Sequence, residues 1–175
     1  MRNITRLAVA MGAASALLPR LAHAGDASPP LAIVMNSGDA TLSVIDMTAK
    51  RVVRTLPTLR EPSHWALTPD RSRLLVTDAG GNALFSVDPR LGTMLGHITM
   101  PDPYQIGYSP DRRFLAVNCL RLDLIQIYNA ADMTVALRLK APSMPSHLDF
   151  SPDSRWSFHS MQGSDDVVSL DLTSM

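Results

Sequence analysis

The sequence is poor in the residues that sustain helices and in those that build disulfide frameworks. Its 175 residues include one glutamate, Glu61, and two lysines, Lys50 and Lys140, against fifteen Asp and fourteen Arg. Glu and Lys favour helices, whereas Asp, Asn, Ser, Gly and Pro build turns. With 13 Pro and 9 Gly, the chain reads as short strands joined by turns. A single cysteine, Cys119, excludes an internal disulfide and a Cys-x-x-Cys-His haem attachment. It reads as a buried strand residue rather than a reactive thiol. Neither charge sign dominates: 16 basic and 16 acidic residues give a net charge of zero. That excludes the basic footprint of a nucleic-acid-binding protein. Nucleophile-elbow, paired-carboxylate and phosphate-loop patterns are missing. No catalytic residue is therefore assigned, the balance is against an enzyme, and the cofactor is left unknown. What is present is enough apolar sequence, 46%, for a packed core rather than disorder.

Residues 1–24 read as a secretory signal peptide. Arg2 and Arg6 supply the positive start, Leu7 to Leu18 form an apolar run, and Ala22-His23-Ala24 gives a small-x-small cleavage pattern. Twelve residues are too few for a bilayer core of about 30 Å, so no membrane span is expected. Residues 25–175 are then expected in the periplasm or outside the cell. Processing removes three Arg and no acid, leaving 13 basic against 16 acidic groups, a net charge of −3.

The remainder is a repeat. Pro62-Ser-His-Trp-Ala-Leu-Thr-Pro-Asp70, Pro103-Tyr-Gln-Ile-Gly-Tyr-Ser-Pro-Asp111 and Pro145-Ser-His-Leu-Asp-Phe-Ser-Pro-Asp153 superimpose without a gap, at spacings of 41 and 42. A second register runs through Ser43-Val-Ile-Asp46, Phe85-Ser-Val-Asp88, Gln126-Ile-Tyr-Asn129 and Val168-Ser-Leu-Asp171 at intervals of 42, 41 and 42. A period in the low forties fits propeller blades or two-helix solenoid units. The local pattern separates them, because each repeat contains five- to six-residue runs of Val, Ile, Leu, Phe and Thr bounded by Gly, Pro, Asp and Asn.

The expected fold is all-β: a β-propeller of four-stranded antiparallel blades, with repeats at about 31–57, 62–99, 103–140 and 145–172. Within a blade, the innermost strand A is His64 to Thr68, Tyr104 to Ser109 and Ser146 to Ser151. Strand B is Leu31 to Asn36, Arg73 to Asp78, Phe114 to Cys119 and Arg155 to Ser160. Strand C is Thr41 to Asp46, Ala83 to Asp88, Leu124 to Asn129 and Asp166 to Asp171. The outermost strand D is Arg51 to Leu56, Thr93 to Thr99 and Thr134 to Lys140. Its Arg51, Arg54, Arg138 and Lys140 suit a solvated edge. The tally is fourteen strands, about 3.5 blades, and propellers have four to eight. The expectation is a partial ring, with self-association through its open blade edges as one way to cover them.

Leu75-Val-Thr-Asp78, Leu42-Ser-Val-Ile-Asp46 and the Ser-Pro-Asp turns at 109–111 and 151–153 resemble the periplasmic β-propeller family of YVTN repeats, which includes YncE-like propellers. The signature itself is degraded, to Ile33-Val-Met-Asn36 and Leu115-Ala-Val-Asn118. The Pro-Asp-Gly turn carries Arg71, Arg112 and Ser154 in place of Gly. The repeats are similar to those of the cytochrome d1 haem domain and of lactonase-type propellers. The resemblance covers Leu31 to Leu172 and implies a seven-bladed ring, of which this chain is an N-terminal half. It implies a ligand-binding or protein-interaction scaffold. The alternative is the first half of a haem-d1-related, other redox or lactonase-like propeller enzyme.

Equivalent residues of successive blades ring the axis of a propeller. His64, Gln105 and His147 occupy one such position at the start of strand A, and they are the candidate ligand-binding residues. Two imidazoles and an amide at a channel mouth suit a metal, haem iron or an anionic ligand. The competing reading has each side chain capping its own loop. The partner is an unknown small ligand or protein at that face. Asp39, Asp123, Asp165 and Asp166 share the face but read as turn residues, since no cation-loop spacing joins them. Asp70, Asp111 and Asp153 read as hairpin supports on the opposite face, and Trp65 and Trp156 as blade packing.

Overall fold

The computed structural model describes residues 29–175; the signal-peptide reading of residues 1–24 lies outside them. Fourteen strands form four antiparallel sheets in chain order. The first blade holds β1 (Leu31–Asn36), β2 (Thr41–Asp46) and β3 (Arg51–Pro57). The second holds β4 (Pro62–Leu67), β5 (Leu74–Asp78), β6 (Ala83–Asp88) and β7 (Thr93–Thr99). The third holds β8 (Pro103–Tyr108), β9 (Phe114–Cys119), β10 (Leu124–Asn129) and β11 (Val135–Lys140). The fourth holds β12 (Pro145–Phe150), β13 (Trp156–Met161) and β14 (Val167–Asp171). Each sheet is a simple meander. Among the described residues β1 pairs only with β2, and β14 only with β13. The strand bounds lie within two residues of those read from the sequence.

Alternating side chains point to opposite faces of each sheet, and facing sides of adjacent blades form three apolar cores. Leu42, Val44 and Leu56 of blade one meet Leu74, Val76, Ala83, Phe85 and Val87 of blade two. Leu75 and Leu84 meet Ile106, Leu115, Val117, Cys119 and Tyr128 of blade three. Ala116, Ile125 and Ile127 meet Met161 and Leu172, with Leu148, Phe150, Val168 and Leu170 packed alongside. Innermost strands touch their counterparts directly, β4 against β8 and β8 against β12. The middle strand β5 is buried along its whole length, as a strand covered on both faces must be.

The turns repeat as faithfully as the strands. Positive φ recurs at Ala40, Asn82 and Asp123 before strand C, and at Arg71, Arg112 and Ser154 after the Pro-Asp turn. Lys50, Gly92 and Met133 form a third set before strand D. Among the described residues ten positions other than glycine hold a positive φ, a conformation that costs about 1–2 kcal/mol for a residue with a side chain, so the hairpin geometry overrides side-chain preference there. The three Pro-Asp turns share one device. Asp70, Asp111 and Asp153 each accept a hydroxyl hydrogen bond from two residues before, at 2.6, 2.7 and 2.5 Å. Each also accepts a backbone N–H from two residues after, at 3.0, 3.1 and 3.1 Å. All three carboxyls are held below the ordinary value, Asp70 to about 2; hydroxyl hydrogen bonds lead for Asp70 and Asp153, while at Asp111 burial is the largest single influence and is overcome only by the Ser109 hydroxyl together with the hydrogen bonds and charge of Arg113.

Candidate functional site

Each innermost strand opens with a bulge. Pairing jumps from Pro62↔Asp78 to Trp65↔Val76, from Pro103↔Cys119 to Gln105↔Asn118, and from Pro145↔Met161 to Leu148↔His159. A bulge bends the strand and re-aims a side chain, here in three successive blades at the same height. A polar residue of strand B supports two of the bulges. The Thr77 hydroxyl accepts the His64 N–H at 3.0 Å and donates to the Tyr104 carbonyl at 2.7 Å, tying blade two to blade three. The Ser160 hydroxyl accepts the His147 N–H at 3.2 Å. At the equivalent place Asn118 Nδ2 donates to the Ser146 carbonyl at 3.1 Å, tying blade three to blade four.

The result is a short row of rings. His64 stands edge-on to Tyr104, with centroids 4.6 Å apart, and to His147 at 5.5 Å; Tyr104 and His147 are 6.1 Å apart. His64 is half-buried and His147 exposed. Burial, followed by the neighbouring His147, lowers the His64 pKa from its usual 6.5, against a smaller opposing pull from the Tyr104 backbone. The imidazole is therefore neutral at pH 7. Its Nδ1 is buried without a hydrogen-bond partner among the described residues, which is the feature expected where an outside group completes a site.

The two candidate histidines thus converge. Gln105 does not enter the ring row with them: its Oε1 accepts the Leu148 N–H at 3.0 Å, joining β8 to β12. Tyr104 takes its place among the rings. The signal for this was present in the sequence, because the residues matching Tyr104 are Ser63 and Ser146, and an aromatic among small polar residues fills a different space.

The surrounding loops are locked by carboxylates. Asp78 is buried and accepts the N–H groups of Leu59, Arg60, Glu61 and Gly81 at 2.7–2.9 Å. Burial works to raise its pKa, but these four donors prevail and lower it. Asp102 is also buried and binds the N–H groups of Arg121 and Leu122. There burial prevails and raises the pKa. Arg121 bridges Asp102 and Glu61. Asp123 accepts the Met144 N–H at 2.8 Å. No group of three or more His, Cys, Asp or Glu among the described residues is placed to hold a metal ion.

A third polar feature was invisible in the strand pattern. His159, fully buried between blades three and four, lies 2.7 Å from Asn118 Oδ1 through Nδ1 and 3.0 Å from Ser157 Oγ through Nε2. Because Asn118 donates through Nδ2 elsewhere, its Oδ1 accepts, which places the imidazole proton on Nδ1. Ser157 is sealed from solvent as well, so this constellation braces an interface and attacks nothing.

Four meandering sheets set side by side around an axis, with rings carried at the start of the innermost strands, define a β-propeller architecture. The chain belongs to the family of YncE-like beta-propellers, whose sequence profile matches residues 4–175. No curated protein matches the sequence. Among solved structures the chain is similar to Kuenenia stuttgartiensis hydrazine synthase, at 22% identity and a TM-score of 0.69. The match covers 83% of this chain and 44% of that one, so this chain spans less than half of the solved relative. At that identity the likeness concerns the fold. Among the described residues no helix is long and apolar enough to cross a membrane.

Proposed function

We propose that the chain is an exported propeller module of the periplasm whose ligand docks on the axial face at His64, Tyr104 and His147. The observation that carries this reading is the buried, unpartnered Nδ1 of His64 beside a second imidazole. Two imidazoles and a phenol ring offer hydrogen bonds, lone pairs and flat apolar faces. Their flat faces and ring nitrogens suit a planar or metal-bearing small molecule. Gln105 contributes by fixing the strand next to His147 rather than by touching the ligand.

Native mass spectrometry of protein recovered from the periplasm tests this. The expected result is an adduct of defined mass on the wild type that is lost from the His64→Ala/His147→Ala variant, with unchanged thermal unfolding. An adduct retained by the variant, or none on the wild type, removes the proposal.

A second reading, self-association through the open blade edges, is favoured by the outward face of blade four, where Phe158 and Val167 are 41% and 67% exposed. Light scattering that returns a monomer at micromolar concentration would remove it.

A further inference from the structure

The gap between neighbouring blades is filled differently at its outer end in each case. The relevant positions form one cross-strand pair between strands C and D: Val44↔Arg54, Ser86↔Gly96 and Ile127↔Leu137. Between blades one and two, Val44 is fully buried, and Arg54 Nη1 donates to the carbonyls of Leu91 and Gly92 at 2.7 and 2.8 Å. Between blades three and four, Ile127 is fully buried and Leu137 packs on the same core. Between blades two and three the pair is Ser86 and Gly96, and neither fills the space. A Cβ added to Gly96 would meet nothing within 4 Å.

A cleft of about 700 Å³ opens there, within the range that small-molecule sites occupy. It lies on the face of the Pro-Asp turns, away from the ring row of His64, Tyr104 and His147. Leu75 and Leu84 line it from blade two, and Tyr108 and Met133 from blade three. The Ser86 hydroxyl is buried in the cleft and has no hydrogen-bond partner among the described residues. Its rim carries one charge of each sign, Arg73 and Asp70. The Asp70 carboxylate is already committed to Thr68 and Ser72. With the two rim charges balanced, the opening selects neither anions nor cations, while the unsatisfied hydroxyl inside calls for a partner.

We infer that this inter-blade cleft is a second binding site, for a neutral amphiphile: an apolar body of roughly ten carbons with one hydrogen-bonding group that reaches Ser86. The apolar body covers Leu75, Leu84 and Met133, and the polar group removes the cost of the orphaned hydroxyl.

The test uses 1-nonanol, with nonane, nonanoate and nonylammonium as matched probes, in calorimetric titrations of the full chain and in amide NMR. Saturable binding of nonanol is expected, with shifts centred on Ser86, Tyr108 and Met133. Nonane and both ions should bind at least fivefold more weakly. Ser86→Ile, which restores the bulk found at Ile127, should weaken nonanol at least tenfold. Should that variant fail to fold, Ser86→Ala serves in its place; it keeps the space but loses the hydroxyl, and should erase the preference of nonanol over nonane. The His64→Ala/His147→Ala variant should bind nonanol as the wild type does. Absence of saturable binding, equal binding of the four probes, or indifference to the Ser86 variants would overturn the inference.

Discussion

Lowering the pH should loosen the contact between blades three and four through one residue. His159 is fully buried, and burial alone pushes its pKa from 6.5 down to about 4. A group whose folded pKa is depressed takes up protons more readily in the unfolded chain. The neutral imidazole therefore contributes its full stability above pH 6.5, and that contribution is lost as the pH falls towards 4. A separation of about 2.5 pH units, at 1.36 kcal/mol each, corresponds to about 3 kcal/mol lost between pH 7 and pH 4. In a domain of this size the equivalent fall in Tm is about 6–12 °C. Carboxylates titrate in the same range, so the assay is a difference. Urea unfolding of the wild type and of His159→Gln is followed from pH 7.5 to pH 4. The glutamine variant starts less stable but should lose about 3 kcal/mol less over that interval. Parallel curves for the two proteins would refute the reasoning. So would an NMR titration that places the His159 pKa near 6.5.

Four other outcomes follow from the same contacts. Asp78→Ala leaves four backbone N–H groups without their acceptor and should cost about 2–4 kcal/mol in urea unfolding, with Asp78→Asn intermediate. Arg112→Gly relieves a left-handed residue whose φ is 67°, and should raise Tm slightly, by about 0.5 kcal/mol of stability. Ser154→Gly at the matching position should instead lower it, because the Ser154 hydroxyl accepts the Asp111 N–H at 2.8 Å. Cys119 is buried, and burial, followed by the charge of Asp102, pushes its thiol pKa up to about 12. It should resist iodoacetamide at pH 8 in the native protein and be modified on unfolding, as read by mass.

The strands were legible because burial between blades imposes the same apolar runs on every repeat, and the turn aspartates punctuate them. Arg71, Arg112 and Ser154 lack the glycine that marks such turns, yet the paired Asp and hydroxyl hold the left-handed geometry. The His64 and His147 positions were legible for the same reason, since both sit at one phase of the repeat. Gln105 shares that phase but not that surrounding: the Leu148 N–H lies within reach of its amide, and the adjacent Tyr104 supplies the third ring. Phase in a repeat fixes the backbone position, whereas the neighbouring blade decides what the side chain meets. His159 and Asn118 went unnoticed on the same ground. They belong to different repeats, 41 residues apart, and only blade packing brings them together. Trp65 is 55% exposed beside the unpaired edge of β1, so blade packing covers it less than the sequence led us to expect.

The central claim is that successive repeats deliver His64, Tyr104 and His147 to one place on the axial face. Nuclear Overhauser contacts between assigned ring protons test it directly. With centroids 4.6 and 5.5 Å apart, His64 should show contacts to both Tyr104 and His147. Rings that show contacts only within their own repeats would contradict the packing of the blades and the site built on it.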